Sequence, residues 1–147
     1  MKLKIAWIGK TKAAAIQALT EEYVKRLGHY AEVEGLALKD ESSLLKLCEA
    51  GARPARHTLV LLDGRGRQLS SEEFAKWLGD HQGRSSSPLL FAIGAADGFS
   101  EEARRAASLV LSLGKMTLAH ELARVVLLEQ IYRAFTILKG HPYHLGH

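Results

Sequence analysis

Apolar positions fall into short runs separated by amphipathic segments, and the two patterns alternate along the chain. Leu3 to Ile8 reads as a strand. Ala13 to Leu27 reads as a helix that stops near Gly28, and Ala31 to Ala37 as a weaker strand. Ser42 to Ala50 reads as a short helix with Gly51 as its C-terminal cap. Thr58 to Leu62 and Leu89 to Ile93 are continuous apolar runs, the mark of buried strands. Between them Ser70 opens a helix, and Glu73 completes a capping box. Ser100 caps another helix, because the acids Glu101 and Glu102 favour its positive end. Ser108 to Leu113 alternates polar and apolar, as a half-buried strand does.

The last element is the clearest. From Glu121 to Lys139 there is no Gly or Pro, and Gly140 and Pro142 end the run. Val125, Leu128, Ile131, Tyr132, Phe135 and Leu138 form one apolar stripe at helical spacing, which Leu122 and Val126 widen. A stripe that broad implies burial on more than one side, against the domain and a second subunit. The alternation predicts an α/β fold, a mostly parallel sheet flanked by helices, in one domain over residues 1–147. Ligands on such sheets sit at the carboxyl ends of strands. The loops to inspect therefore follow Leu62, Ile93 and Leu113.

Composition narrows the classes without choosing among them. Of the 147 residues 47% are apolar, enough for a core and too many for a disordered chain. A formal charge of +4 permits a nucleic-acid partner without requiring one. Cys48 is the single cysteine, which excludes an intrachain disulfide and a cysteine-based zinc site, and reads as a small hydrophobe. No stretch approaches the roughly 20 apolar residues of a membrane span, and the N-terminus lacks the run of a signal peptide. The expected location is the cytoplasm, with no membrane partner.

Several motifs fail. Gly9-Lys10-Thr11 echoes a phosphate-binding loop, but the earlier glycine is missing. Gly64-Arg65-Gly66 is no dinucleotide fingerprint, because Leu69 stands where its third glycine belongs. His141, His144 and His147 are spaced like metal ligands. Pro142 and Gly146 argue against the helix that would align them, so no metal is expected.

Three loops carry the candidate chemistry. Leu62-Asp63-Gly64-Arg65-Gly66 is either a turn or one wall of a cofactor pocket. In the segment from Ile93 to Ser100, Gly94, Ala95, Ala96 and Gly98 let a ligand approach the backbone. The segment from Leu111 to His120 joins a strand to the longest helix, and its main-chain groups could hold a flat base and a ribose. His120 opens that helix, and Arg124, four residues on, shares its face. From Ala103 onward there are six Lys or Arg against two acids, so the tail is either a solvated basic end or an RNA-facing rim.

Taken together these segments resemble the bacterial ribosomal RNA large subunit methyltransferase H family, within the SPOUT, or knotted, methyltransferases. The likeness spans essentially the full chain. It starts at Lys2-Leu3-Lys4-Ile5 and the 21–27 helix end, and continues through the 62–66 loop and the segment 69–75. It is most specific at Leu111 to Leu118 and from Leu122-Ala123-Arg124-Val125 to the segment 129–135. Pro142-Tyr143-His144 also matches.

The resemblance implies a C-terminal deep trefoil knot and S-adenosylmethionine held by Leu62, Gly94, Leu113, Gly114, Lys115, Met116, Thr117 and Leu118. It implies a homodimer in which each site is completed by the partner's tail. The implied reaction methylates N3 of a pseudouridine in 23S ribosomal RNA, on the assembled ribosome. That reaction needs removal of the N3 proton and stabilisation of the charge that develops. Tyr143 and His144 are the tail candidates for this, His144 as the base, with His120 and Arg124 beside them. Arg133, Lys139 and His141 are the expected RNA contacts. A ribosome-binding factor of the same fold with weak catalysis, or a knotted methyltransferase for another RNA, are the alternatives.

Overall fold

In the computed structural model, which describes residues 1–53, 55–95 and 97–145, strands and helices alternate throughout. The strands are β1 (Lys2–Ile8), β2 (Glu32–Leu38), β3 (Thr58–Gln68), β4 (Leu89–Ile93) and β5 (Leu109–Ser112). The helices are α1 (Ala14–Leu27), α2 (Glu41–Lys46), α3 (Ser71–Arg84), α4 (Glu101–Ala106) and α5 (His120–Leu138). All five strands form one sheet in the order β2-β1-β4-β3-β5, and every neighbouring pair is parallel.

Side-chain alternation explains why helices cover both faces. Leu3, Ile5 and Trp7 of β1, Val60 of β3 and Phe91 of β4 pack with Leu27, Phe74, Leu78, Leu127, Ile131 and Phe135 of α1, α3 and α5. Ala6, Leu59, Leu61, Leu90 and Ala92 point the other way, into a smaller core with Leu44 of α2 and Ala103 of α4. Every residue of β4, at the centre of the sheet, is buried, so its sequence shows no polar alternation. Edge strand β2 is largely exposed, and its apolar signal is correspondingly weak.

Three sequence expectations change. First, α2 is shorter than Ser42 to Ala50. Asp40 caps it, accepting from the Ser43 N–H at 2.9 Å, and the helix ends at Lys46, well before Gly51. Second, β3 runs on through the glycines to Gln68. Its ladder with β5 is interrupted, since Leu62 and Arg67 both register with Leu111, and residues 63–66 leave the regular pairing between them. Third, the buried face of α5 is centred on Ala123, Leu127, Leu128, Ile131, Ala134 and Phe135 and includes Arg124 and Thr136. Leu122 and Leu138 remain exposed. The capping box of α3 forms as the sequence predicts, with Ser70 and Glu73 exchanging hydrogen bonds.

Candidate active site

The three loops after the carboxyl ends of the core strands converge on one cleft of about 590 Å³. Leu62, Asp63, Gly64 and Arg65 form one wall. Ile93, Gly94, Ala95, Asp97 and Gly98 form the second, and Ser112 to His120 with Ala123 of α5 the third. This volume lies in the range of small-molecule and cofactor sites. Most of the lining residues are glycine, small or apolar, which leaves the main chain open to a ligand gripped along its edges.

Each wall is braced by its own polar contacts. Asp63 is nearly buried and accepts from the Arg65 main-chain N–H at 2.9 Å and from its guanidinium at 3.0 and 2.9 Å. That guanidinium holds the Asp63 carboxyl below the usual carboxylate range. Arg65 also donates to the Phe99 carbonyl at 3.3 Å, which ties the first wall to the second. In the third wall the Ser112 hydroxyl donates to the Gly114 carbonyl at 2.9 Å and accepts its N–H at 3.2 Å. Gly114 has φ of +140°, a backbone conformation that L side chains rarely adopt.

All eight residues expected to contact the cofactor line this cleft or its mouth: Leu62, Gly94, Leu113, Gly114, Lys115, Met116, Thr117 and Leu118. His120 lines it too. Met116, 88% exposed, and Leu118, also exposed, line the cleft, so its mouth carries an apolar rim. Ala96 of the second loop lies outside the described residues. Asp63, Arg65 and Ser112 belong to the loops expected to form the pocket, without having been singled out in them, whereas Ala123 of α5 was not expected there. A serine at a strand end, two residues before a glycine, was the available signal for Ser112.

The tail assembles elsewhere. After Gly140, residues 141–145 fold back along α5. The Tyr143 hydroxyl donates to Glu129 at 3.2 Å, and its ring meets the Tyr132 ring edge-on at 5.0 Å. Glu129 also pairs with Arg133, through Nε at 3.0 Å and Nη2 at 2.5 Å. That carboxylate raises the Arg133 pKa, and burial, followed by Glu129, raises that of Tyr143. His144 lies between Arg133 Nη1, at 3.0 Å from its Nδ1, and Glu72 of α3, at 2.7 Å from its Nε2. Glu129 lies nine residues beyond His120 on α5, about 14 Å along the axis. Tyr143 and His144 do not line the cleft of their own chain.

Lys139 and His141 are exposed beside this cluster, and the His141 Nδ1 accepts the Tyr143 N–H at 3.1 Å. His147 lies outside the described residues, as does Gly146. Among the described residues no group of three or more His, Cys, Asp or Glu side chains is placed to hold a metal ion. Burial pushes the Cys48 thiol up to about 11, which keeps it protonated and inert.

Arg124 requires a correction. It shares neither the cleft with His120 nor the surface with the tail, being 1% exposed. Its guanidinium lies 3.9 Å from the centre of the Trp7 ring and donates to Thr11 at 2.8 Å and to Thr20 at 3.4 Å. Burial lowers its pKa. It has no carboxylate in an ion pair among the described residues, so hydroxyls and the ring face replace an acid as its partners. Next to it, Glu121 accepts the main-chain N–H groups of Lys12 and Ala13 at 3.1 to 3.2 Å. The two residues clamp the segment between β1 and α1 to the start of α5. The helix periodicity was right, but the face carrying Arg124 is turned inward by packing against α1 and the sheet.

A parallel sheet with a cleft of mostly small and apolar residues at the carboxyl ends of its strands defines an α/β ligand-binding protein. The family described as predicted SPOUT methyltransferase matches residues 1–144. The chain is 57% identical over 147 residues, the full length of both proteins, to ribosomal RNA large subunit methyltransferase H of Koribacter versatilis. It is 40% identical to the protein of that name from Geotalea daltonii, across 98% of this chain and 99% of the relative. Among solved structures, the SpoU methyltransferase AviRb from Streptomyces viridochromogenes, in complex with AdoMet, superposes with a TM-score of 0.56 at 17% identity. The match covers 90% of this chain and 57% of that one, which shares the fold. The chain thus belongs to the SPOUT methyltransferases and, within them, to the ribosomal RNA large subunit methyltransferase H family.

Proposed function

We propose that this protein is an S-adenosylmethionine-dependent methyltransferase that modifies N3 of a pseudouridine in 23S ribosomal RNA, on the assembled ribosome. The observation that carries the reading is the convergence of three strand-end loops on one cleft, in a chain 57% identical to a named large-subunit methyltransferase. The solved AviRb complex with AdoMet adds support for the cofactor. The fit is favourable in this chain too, since its cleft offers main-chain donors and acceptors from residues 113–118 and an apolar floor at Leu62 and Ile93.

The cofactor supplies an electrophilic methyl carried on a sulfonium sulfur. The chain's residues have three tasks. Leu62, Gly94 and the 113–118 segment hold the cofactor, and the Ser112 hydroxyl keeps that segment in shape. Tyr143 and His144 face the substrate base, with His144 taking the N3 proton. Arg133, Lys139 and His141 contact the RNA, while Arg124 supports the fold. His120, at the cleft, hydrogen-bonds ligand or substrate.

Because the tail lies away from its own cleft, the reading requires a homodimer in which each tail serves the partner's cleft. The exposed Met116 and Leu118 at the cleft mouth, with Leu122 exposed in the first turn of α5, give such a partner an apolar surface to cover. The trefoil knot implied by the resemblance belongs to the same reading, with the segment from β5 into α5 as the threaded part.

Ala123→Leu tests the cleft. Ala123 is buried at the cleft wall, so the added side chain takes up ligand space. Calorimetric titration should show S-adenosylmethionine affinity falling about ten-fold or more, equal to roughly 1.4 kcal/mol, with the circular dichroism spectrum unchanged. Equal affinity in the variant would place the cofactor elsewhere.

A further inference from the structure

Glu72 stands at the start of α3, far in sequence from the tail, yet its carboxylate meets His144 Nε2 at 2.7 Å. The other ring nitrogen, Nδ1, is 3.0 Å from Arg133 Nη1. An arginine guanidinium only donates, so Nδ1 must be the nitrogen that carries the lone pair. The neutral ring is then protonated at Nε2, and that N–H donates to Glu72. Arg133 is itself fixed by Glu129, and Glu129 also accepts from Tyr143. The tail imidazole is therefore held from both sides, by α5 at one nitrogen and α3 at the other. Through their hydrogen bond His144 holds the Glu72 carboxyl below the usual carboxylate range.

We propose that Glu72 is a positioning residue that anchors the tail and selects the tautomer of His144, leaving Nδ1 as the proton acceptor. The inference rests on the reading that the tail takes part in methyl transfer. When the substrate N3–H gives up its proton, the proton goes to Nδ1 once Arg133 Nη1 has moved aside. The ring keeps its Nε2–H on Glu72, whose carboxylate balances the charge the ring gains. Without Glu72 only the Arg133 contact orients the ring, and once that guanidinium moves aside the ring can turn over or take the other tautomer, which puts the proton on the atom that has to accept one.

Glu72 does not close the α3 capping box, which uses Ser70 and Glu73, and its side chain is 64% exposed, so substitutions there leave the fold intact. The test combines ¹⁵N shifts of the His144 ring with steady-state kinetics on Glu72→Ala and Glu72→Gln. In the parent protein the ring should show Nε2–H. Glu72→Ala should give a mixture of tautomers and a kcat lower by about ten-fold, with KM for the cofactor unchanged. Glu72→Gln, whose amide oxygen still accepts from Nε2–H, should restore the single tautomer and most of kcat. An unchanged ring in Glu72→Ala, or a loss carried by KM alone, overturns the proposal. His144→Ala run alongside separates the two levels. Full activity there would remove the tail from catalysis, and the ring shifts of Glu72→Ala would still decide the anchoring.

Discussion

Gly66→Ala should lower the melting temperature by about 10 °C, equivalent to roughly 3 kcal/mol or more in a chain of this size. A Cβ at Gly66 would overlap the Val110 carbonyl oxygen and come within 2.6 Å of its carbon and 2.9 Å of the Leu111 nitrogen. These are main-chain atoms of β5 and have no rotamer to change. The strand pair would have to separate next to the register shift that shapes the first cleft wall. Gly64, two residues earlier, is the internal control, because a Cβ there meets nothing within 4 Å. Gly64→Ala should stay within about 0.5 kcal/mol of the parent. Differential scanning calorimetry on the two variants decides the matter. Equal melting temperatures would mean that the close approach of β3 to β5 is not what limits residue 66.

The second large effect is expected from mixing two inactive chains. His144→Ala removes the proposed base but leaves the cleft intact, and Ala123→Leu fills the cleft but leaves the tail intact. At a cofactor concentration far below the Kd of the Ala123→Leu cleft, each homodimer should be nearly inactive. Co-refolded in equal amounts, half of the dimers are mixed, and each mixed dimer has one site with a good cleft and a good tail. Activity should therefore return to about a quarter of the parent value. If a tail served its own cleft, no mixed dimer would contain a complete site and nothing would return. The geometry favours the first outcome, since Tyr143 and His144 are anchored to Glu129, Arg133 and Glu72 and not to the cleft.

Most of the fold could be read from the sequence where burial and periodicity agree. The continuous apolar runs at Thr58 to Leu62 and Leu89 to Ile93 marked the buried strands, and Ser70 and Glu73 marked the α3 start. The pattern failed where contacts distant in sequence decide. The Gly64-Arg65-Gly66 stretch has low strand propensity, yet it continues β3, with Gly66 set close against the Val110 main chain of β5. Leu47 and Cys48 continue the apolar pattern of α2, but the helix is already over and the Leu47 carbonyl accepts the His57 N–H at 3.0 Å.

The candidate site divides in the same way. Position alone pointed to the strand-end loops after Leu62, Ile93 and Leu113, which do converge on the cleft, whereas the choice of Leu62, Gly94 and residues 113–118 within them came from the family resemblance. Arg124 misled because its four-residue spacing from His120 fixes a shared face but not the direction in which that face points. Trp7, Thr11 and Thr20 determine that direction, and all lie more than a hundred residues away in the chain. Glu72 carried no local signal either, since only folding brings it to His144.

The central claim is tested most directly by transfer of labelled methyl from S-adenosylmethionine to ribosomes lacking the modification, with free large subunits and transfer RNA alongside. Nucleoside analysis of the labelled RNA identifies the product. The expected product is N3-methylpseudouridine in 23S ribosomal RNA of intact ribosomes, with no label on transfer RNA and loss of label with His144→Ala. A folded protein that binds S-adenosylmethionine and labels none of these RNAs, or labels transfer RNA instead, would contradict it.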